Sequence, residues 1–157
     1  MEHKEISVKY DVLNFEELSQ QERELVDLAR EATYRSYSPY SKFRVGAAIE
    51  LDNGERVTGA NQENVAYPSG TCAERTACYY AHATYPYAKF RMIAIAARGT
   101  DGEFVKDPIS PCGACRQALL EYETLAGRNV RVILAGRDRI YILPSVRATL
   151  PLAFTEF

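Results

Sequence analysis

The sequence predicts an α/β fold, a three-layer α/β/α sandwich around a mixed five-stranded sheet. Apolar segments that suit helices and apolar segments that suit strands alternate along the chain, as expected of a sheet covered by helices on its faces. The chain has 157 residues, enough for one domain with a real core and too few for two. We therefore expect a single domain over residues 1–157, in which residues 1–18 form an N-terminal extension without clear periodicity.

The first half of the chain predicts a helix followed by a β-hairpin. Ser19-Gln20-Gln21-Glu22 matches a capping box, and apolar residues at helical spacing extend this helix to about Tyr34. Residues 43–51 are apolar and predict a strand, and the chain returns as a second strand over residues 55–61. Between them, Asp52-Asn53-Gly54 predicts a type I′ turn, because Asn-Gly readily adopts positive φ angles.

The second half predicts two more helices and three more strands. One helix should run from about Cys72 to His82, and another should follow Pro111. The nearly continuous apolar run at residues 91–97 is typical of a buried central strand. Further strands are predicted at residues 130–134 and 140–142.

Composition excludes several classes of protein. The net charge is −2 and no run of Lys or Arg stands out, which disfavours a nucleic-acid partner because phosphates require a basic surface. No apolar stretch reaches the roughly 18 residues of a membrane span, and the N-terminus has no signal-peptide pattern. We therefore expect a cytoplasmic protein without a membrane partner. Its four cysteines should then be reduced, and they are candidates for metal binding or catalysis.

Two short segments carry residues suited to chemistry. They are Cys72-Ala73-Glu74-Arg75 and Pro111-Cys112-Gly113-Ala114-Cys115, and each lies at a predicted helix start. Helix N-termini favour the thiolate, which is the form of cysteine that binds metal. Three thiolates leave one position of a tetrahedral zinc ion open, as is typical of a catalytic site. We therefore predict one Zn²⁺ ion held by Cys72, Cys112 and Cys115.

Cys78 would close this site if it were a fourth ligand. On a regular helix it lies about 9 Å along the axis from Cys72 and is rotated by about 240°. Thiolates on one zinc ion lie within roughly 4 Å of each other. We therefore expect Cys78 to be a small core residue.

Glu74 is the predicted catalytic residue. Zinc deaminases combine three protein ligands, a Glu two residues beyond the first ligand, and a Pro-Cys-x-x-Cys segment, and this chain matches that pattern. Zinc lowers the pKa of bound water, and Glu74 would move the proton to N3 of a cytosine ring and then to the leaving amine. By itself, Glu74 would be interpreted as a solvated carboxylate at a helix N-terminus.

Arg75 is the candidate to offset the net negative charge that three thiolates leave on a zinc site. Arg116 is the second candidate. The alternative is that both are ordinary surface arginines.

Further segments extend the match to a known family. They are YSPYSKFRVGAA at residues 37–48, NQEN at 61–64, YPSGTCAERTA at 67–77 and LPLAF at 150–154. Together with the zinc motif, they resemble the small homotetrameric cytidine deaminases over roughly residues 37–154. The chain departs from that pattern in its longer N-terminal extension and in an enlarged loop at residues 100–107.

The resemblance implies a set of substrate contacts. Phe43 should pack on the pyrimidine ring, and Asn61 and Glu63 should hydrogen-bond the ribose hydroxyls. The backbone amide of Ala73 should help to hold the carbonyl of the base. Without the family, Asn61 and Glu63 would be interpreted as polar residues at a strand end, and Phe43 as part of the core.

The resemblance also implies an assembly. Family members complete each pocket with residues of neighbouring subunits, and Tyr67 and Phe154 occupy the matching positions here. We therefore expect a homotetramer with shared active sites and one zinc ion per subunit.

The implied activity is a hydrolase reaction of pyrimidine salvage. Cytidine and 2′-deoxycytidine would be deaminated to uridine and 2′-deoxyuridine with release of ammonia. One alternative is a related zinc deaminase that acts on another aminated base or on a nucleotide, although the Glu63 carboxylate would repel a phosphate group. A second alternative is a zinc-stabilised binding protein without turnover, which would use the same thiolates but would not need Glu74.

Overall fold

The computed structural model describes residues 1–156, and within them one mixed β-sheet of six strands forms the centre of the fold. In chain order the strands are β1 (Asp11–Leu13), β2 (Arg44–Leu51), β3 (Arg56–Ala60), β4 (Phe90–Arg98), β5 (Arg131–Ala135) and β6 (Ile140–Leu143). Their spatial order is β1-β6-β5-β4-β2-β3. The β4–β5 pair is parallel and the other pairs are antiparallel.

Three α-helices in the described part of the chain flank this sheet. They are α1 (Gln20–Ala32), α2 (Ala73–Thr84) and α3 (Gly113–Ala126). The capping box of α1 is confirmed, since the Glu22 amide donates to Ser19 Oγ at 3.3 Å and the Ser19 amide donates to Glu22 Oε2 at 2.9 Å. Within residues 1–156, no helix is both long enough and apolar enough to cross a membrane.

The predicted three-layer architecture is confirmed. Side chains alternate between the two faces of a strand, so β4 directs Ile93 and Ile95 towards α2 and α3, and Ala94 and Ala96 towards α1. All four side chains are fully buried. The prediction of a buried central strand in this segment is therefore confirmed.

The prediction of five strands was wrong, because β1 adds a sixth strand at the edge of the sheet. It lies in the N-terminal extension and pairs antiparallel with β6, with Val12 opposite Tyr141. β1 has only three residues, of which only Leu13 is partly buried. Such a segment has too little hydrophobic alternation to be recognised from the sequence.

The turn between β2 and β3 also differs from the prediction. A type I′ turn requires positive φ at two central residues, but only Gly54 has a positive φ here, 86°. The Gly54 amide donates to the Leu51 carbonyl at 3.1 Å, and the Leu51 amide donates to the Glu55 carbonyl at 2.9 Å. The connection is thus a three-residue loop that ends in a left-handed glycine, which Asn-Gly also permits.

Two glycines allow the helices to approach the sheet closely. A Cβ atom on Gly46 of β2 would lie 2.1 Å from the carbonyl oxygen of Ala29 in α1. A Cβ atom on Gly59 of β3 would lie 2.5 Å from the amide nitrogen of Ala77 in α2. Both distances are far below van der Waals contact, so a larger residue would displace the helix. Gly59 therefore helps to set the position of α2, the helix that begins beside Cys72.

Candidate active site

Two helix N-termini bring three cysteines together. Cys72 is the N-cap residue of α2, Cys112 is the N-cap residue of α3, and Cys115 lies in the first turn of α3. Their three Sγ atoms lie within 4.8 Å of one another. The Sγ atoms of Cys72 and Cys112 are 3.8 Å apart. Two segments separated in the chain by α2, β4 and a loop thus form one sulfur cluster.

The sulfur cluster fits one zinc ion. A tetrahedral ion with bonds of about 2.3 Å places its sulfur ligands about 3.8 Å apart, and the separation between Cys72 and Cys112 is 3.8 Å. A disulfide would need about 2.05 Å, and all four cysteines are free. Among residues 1–156, no His or carboxylate completes this cluster as a fourth ligand. The donor set therefore suits a zinc ion with an open coordination position.

Cys78 lies outside the cluster. Its side chain is fully buried in the core on the α2 and α3 side of the sheet. Its Sγ atom donates to the carbonyl oxygen of Arg75 at 3.6 Å. Burial raises the pKa of the Cys78 thiol to about 12, which disfavours the thiolate form that metals require.

Glu74 lies in the first turn of α2 beside the sulfurs. Only 3% of its surface is exposed, and its Oε2 atom is 3.6 Å from Cys115 Sγ. Burial raises the pKa of Glu74, and the negative charge of Cys72 raises it further. A raised pKa makes the carboxylate a stronger base, which suits a group that must accept a proton and later release it.

Arg75 brings positive charge to the cluster. Its Nη2 atom contacts Cys72 Sγ at 3.8 Å. A hydrogen bond from Cys115, together with Arg75, lowers the pKa of the Cys72 thiol to about 5. The same interaction with Cys72 raises the pKa of Cys115, and burial raises it further. Of these two thiols, Cys72 is thus the one more readily held as a thiolate.

Arg116, the second candidate for this role, binds backbone instead. Its Nε atom donates to the Pro111 carbonyl at 2.7 Å, and its Nη1 atom donates to the Thr149 carbonyl at 3.0 Å. These bonds join the segment before α3 to the C-terminal segment. Arg116 therefore stabilises the backbone next to the site, whereas Arg75 contacts the sulfur cluster itself.

A cavity of about 470 Å³ opens beside Cys72 and Arg75. Three of the six residues predicted to bind substrate line it, namely Asn61, Glu63 and Tyr67. Asn61 and Glu63 are two residues apart in an extended segment, so their side chains share a face. The cavity therefore offers a carboxylate and an amide next to the sulfur cluster.

The other three predicted residues do not line this cavity. Ala73 is fully buried directly after Cys72. The carbonyl oxygen of Phe43 accepts a hydrogen bond from Nδ2 of Asn61, a lining residue, at 2.9 Å. Phe154 is 67% exposed.

The backbone of Phe154 is held by α3. Gln117 Nε2 donates to the Phe154 carbonyl at 2.7 Å, and the Phe154 amide donates to Gln117 Oε1 at 3.1 Å. The helix that carries Cys112 and Cys115 therefore also fixes the C-terminal segment.

Sequence reasoning assigned no role to several residues that line the cavity, namely Tyr40, Ser41, Gln62, Asn64, Gly70 and Thr71. Gln62 and Thr71 exchange two backbone hydrogen bonds of 2.9 Å, and this pairing joins the polar segment to the residue before Cys72. Tyr40 and Ser41 belong to the segment at residues 37–48, where the family resemblance was the only signal. Long-range pairings of this kind are not readable from local sequence periodicity.

The chain matches a family model over residues 19–128. The model describes the cytidine and deoxycytidylate deaminase zinc-binding region. This chain belongs to the cytidine and deoxycytidylate deaminase family. The cysteine cluster and Glu74 both lie within the matched part of this deaminase chain.

Known deaminases resemble this family member along most of its length. A cytidine deaminase of Halalkalibacterium halodurans is 37% identical over 131 residues, which are 83% of this chain and 92% of that protein. A probable cytidine deaminase of Dictyostelium discoideum is 35% identical over 145 residues, which are 92% of this chain and 88% of that protein. The crystal structure of a cytidine deaminase from Burkholderia pseudomallei superposes with a TM-score of 0.72 at 34% identity, covering 87% of this chain and 100% of that one.

Replacing the cysteines one at a time tests the ligand set. Cys72→Ala, Cys112→Ala and Cys115→Ala should each weaken zinc binding by more than about 100-fold, because even a residue that only supports a ligand can contribute that factor. Competition with a zinc chelator, followed by elemental analysis of the protein, measures the effect. Cys78→Ala is the matched control and should retain zinc. Loss of zinc in the Cys78 variant, or its retention in one of the other three, would contradict the assignment.

Proposed function

We propose that this chain is a zinc-dependent hydrolase that converts cytidine and 2′-deoxycytidine to uridine and 2′-deoxyuridine with release of ammonia. The observation that carries this proposal is a buried carboxyl group with a raised pKa, Glu74, beside three converging cysteine sulfurs. The adjoining cavity supplies polar groups for a hydroxylated ligand. A zinc-stabilised binding protein would need neither Glu74 nor an open coordination position.

Cys72, Cys112 and Cys115 would hold one zinc ion per subunit. When bound, zinc acts as a Lewis acid that makes water nucleophilic near neutral pH. The Arg75 guanidinium, 3.8 Å from Cys72 Sγ, would offset part of the negative charge of the thiolates, as would the N-termini of α2 and α3. An Arg75→Gln enzyme with the same pH dependence of turnover as the wild type would contradict this role.

Glu74 carries the proton in the proposed reaction. Its carboxylate takes a proton from the attacking water and passes it to N3 of the pyrimidine ring. A C4–O bond forms as the water oxygen attacks. Glu74 then takes the second proton of that oxygen and delivers it to the amino nitrogen, so that the bond from C4 to this nitrogen breaks, a C4=O double bond forms and ammonia leaves. The burial of Glu74, with 3% of its surface exposed, suits this role because bulk water does not compete for the proton.

The polar side of the cavity would bind the sugar. Asn61 and Glu63 would hydrogen-bond the ribose, Phe43 would pack on the pyrimidine ring, and the amide of Ala73 would hold the base carbonyl. The Glu63 carboxylate favours a nucleoside over a nucleotide, because a phosphate group next to it would be repelled. This charge argues against deoxycytidylate as the substrate.

We also propose a homotetramer with shared active sites. Tyr67 is 80% exposed and Phe154 is 67% exposed, and large aromatic residues of this kind are typical of surfaces covered in an assembly. Co-expression of Glu74→Gln and Phe154→Ala chains tests the sharing of sites. Mixed oligomers should regain activity that neither parent has, whereas activity no higher than that of the two parents would contradict the proposal.

We infer further that residues 1–157 act as one domain in the cytoplasm, in pyrimidine salvage. The free state of all four cysteines suits a reducing compartment. The reaction turns a cytosine nucleoside into a uracil nucleoside. The gene should therefore allow a pyrimidine-requiring bacterial strain to grow on cytidine, and failure of an expressed, active enzyme to do so would contradict the role in salvage.

Glu74→Gln tests the proposed reaction directly. The change removes the proton-carrying group but keeps the size of the side chain, so kcat for cytidine should fall by at least about 1,000-fold while zinc stays bound. The decrease of cytidine absorbance in the ultraviolet and the release of ammonia measure turnover. Glu121→Gln, on the exposed side of α3, is the matched control and should keep full activity. A zinc-loaded wild type that leaves cytidine and deoxycytidine unchanged would contradict the proposed function.

A further inference from the structure

The Glu63 carboxylate is held by the loop that precedes β2. Its Oε2 atom accepts hydrogen bonds from the amide of Tyr40 at 2.9 Å and from the amide of Ser41 at 3.2 Å. The hydroxyl of Ser41 donates to Oε1 of the same carboxylate. Three donors from two adjacent residues therefore fix a side chain that lies at the edge of the cavity.

The Ser41 hydroxyl is itself oriented. Its Oγ atom accepts a hydrogen bond from the amide of Phe43 at 3.1 Å, so its proton is directed towards Glu63. The turn between them passes through Lys42, whose φ of 57° lies in the left-handed region, and the Lys42 amide donates to the Ser38 carbonyl at 3.0 Å. Ser41 thus bridges the start of β2 and the carboxylate.

These hydrogen bonds limit the number of acceptor positions that the Glu63 carboxylate can offer a ligand. An ionised carboxylate only accepts hydrogen bonds and offers about four lone-pair positions. Tyr40 and Ser41 occupy three of them. The Ser41 hydroxyl also contributes most to lowering the pKa of Glu63, so the group stays ionised. The Ser41 amide also lies 3.3 Å from Oε1 and is thus shared between the two oxygens, so the acceptor capacity that remains for a ligand lies on Oε1.

The side chain of Asn61 has the opposite hydrogen-bonding capacity to that of Glu63. Its Oδ1 atom accepts from Ser36 Oγ at 2.6 Å and from the Val45 amide at 2.8 Å, which uses both lone pairs of the amide oxygen. Its Nδ2 atom donates one hydrogen to the Phe43 carbonyl at 2.9 Å. The second hydrogen on Nδ2 remains, so Asn61 can offer a ligand only a donor.

We propose that Ser41 is a positioning residue for nucleoside recognition, which acts by locking Glu63 as the acceptor for the ribose 3′-hydroxyl while Asn61 donates to the same oxygen. The 3′-hydroxyl is the ring hydroxyl that both proposed substrates, cytidine and 2′-deoxycytidine, share. This proposal rests on the proposed function. A hydroxyl group both donates and accepts hydrogen bonds. Glu63 would accept from it and Asn61 would donate to it, so the two side chains together would satisfy both functions. A sugar that lacks this hydroxyl gains nothing from the orientation of Glu63, and the effect of Ser41 should therefore depend on the substrate.

Two substrates separate positioning from a general structural role. Ser41→Ala should lower kcat/KM for cytidine about 10-fold, mainly through KM, because a hydrogen bond to a charged group is lost while two backbone donors stay. The same change should alter kcat/KM for 3′-deoxycytidine by less than about 2-fold, because that nucleoside lacks the hydroxyl. Where turnover of 3′-deoxycytidine is too slow to follow, its inhibition constant against cytidine gives the same comparison.

Further variants complete the test. Ser41→Thr keeps the hydroxyl and should restore most of the activity, and Ser41→Ala should have little additional effect in a Glu63→Gln enzyme. Ser7→Ala, in the exposed N-terminal extension, is the control and should leave both substrates unaffected. Zinc content and thermal unfolding of each variant show whether it is folded, which is expected because Ser41 is exposed.

These measurements distinguish a failure of the proposed function from a failure of the positioning role of Ser41. A wild-type enzyme that deaminates neither nucleoside overturns the proposed function, and the role of Ser41 with it. A wild type that deaminates cytidine, combined with a Ser41→Ala enzyme that loses activity equally on both substrates or on neither, overturns the positioning role alone.

Discussion

Three cysteine sulfurs within 4.8 Å of one another would repel one another as thiolates, and they need positive charge around them. Two helix N-termini supply part of it, because Cys72 and Cys112 are the N-cap residues of α2 and α3, where helix dipoles favour negative charge. Arg75 adds a guanidinium group. Other parts of the fold position these two helices. Gly59 permits the close approach of α2 to the sheet, and β4 leads the chain towards α3.

Two carboxyl groups near the cysteines have opposite environments and therefore different tasks. Burial raises the pKa of Glu74, whereas hydrogen bonds from Ser41 and neighbouring amides lower the pKa of Glu63. Carboxyl groups whose pKa values are separated in this way divide the chemistry of a site between them. Glu74 is suited to carry a proton, and Glu63 is suited to remain an ionised acceptor for a sugar hydroxyl. Backbone pairing between Gln62 and Thr71 links the two regions.

Patterns of residues allowed the helix starts, the central strand and the cysteine cluster to be predicted from the sequence. The helix starts and the strand depend on residues a few positions apart, as in the capping box at Ser19. The pairing of Cys72 with Cys112, 40 positions away, was predicted because the two segments together match a zinc deaminase pattern. Features that depend on distant pairing without such a pattern were missed. The short strand β1 has almost no buried face. At Gly54, the same residues permit both the predicted type I′ turn and the observed three-residue loop. Ser41 had no visible role, because its partner Glu63 lies 22 positions away.

The proposed reaction depends most on a zinc ion that has three sulfur ligands and one position open to solvent or substrate. Zinc K-edge X-ray absorption spectroscopy of the purified chain measures this directly. We expect three sulfur neighbours at about 2.3 Å and one lighter neighbour, oxygen or nitrogen, at about 2.0 Å. Four sulfur neighbours would indicate a closed structural site and would contradict a catalytic role for the ion, and a chain that does not retain zinc would contradict the assignment of the site.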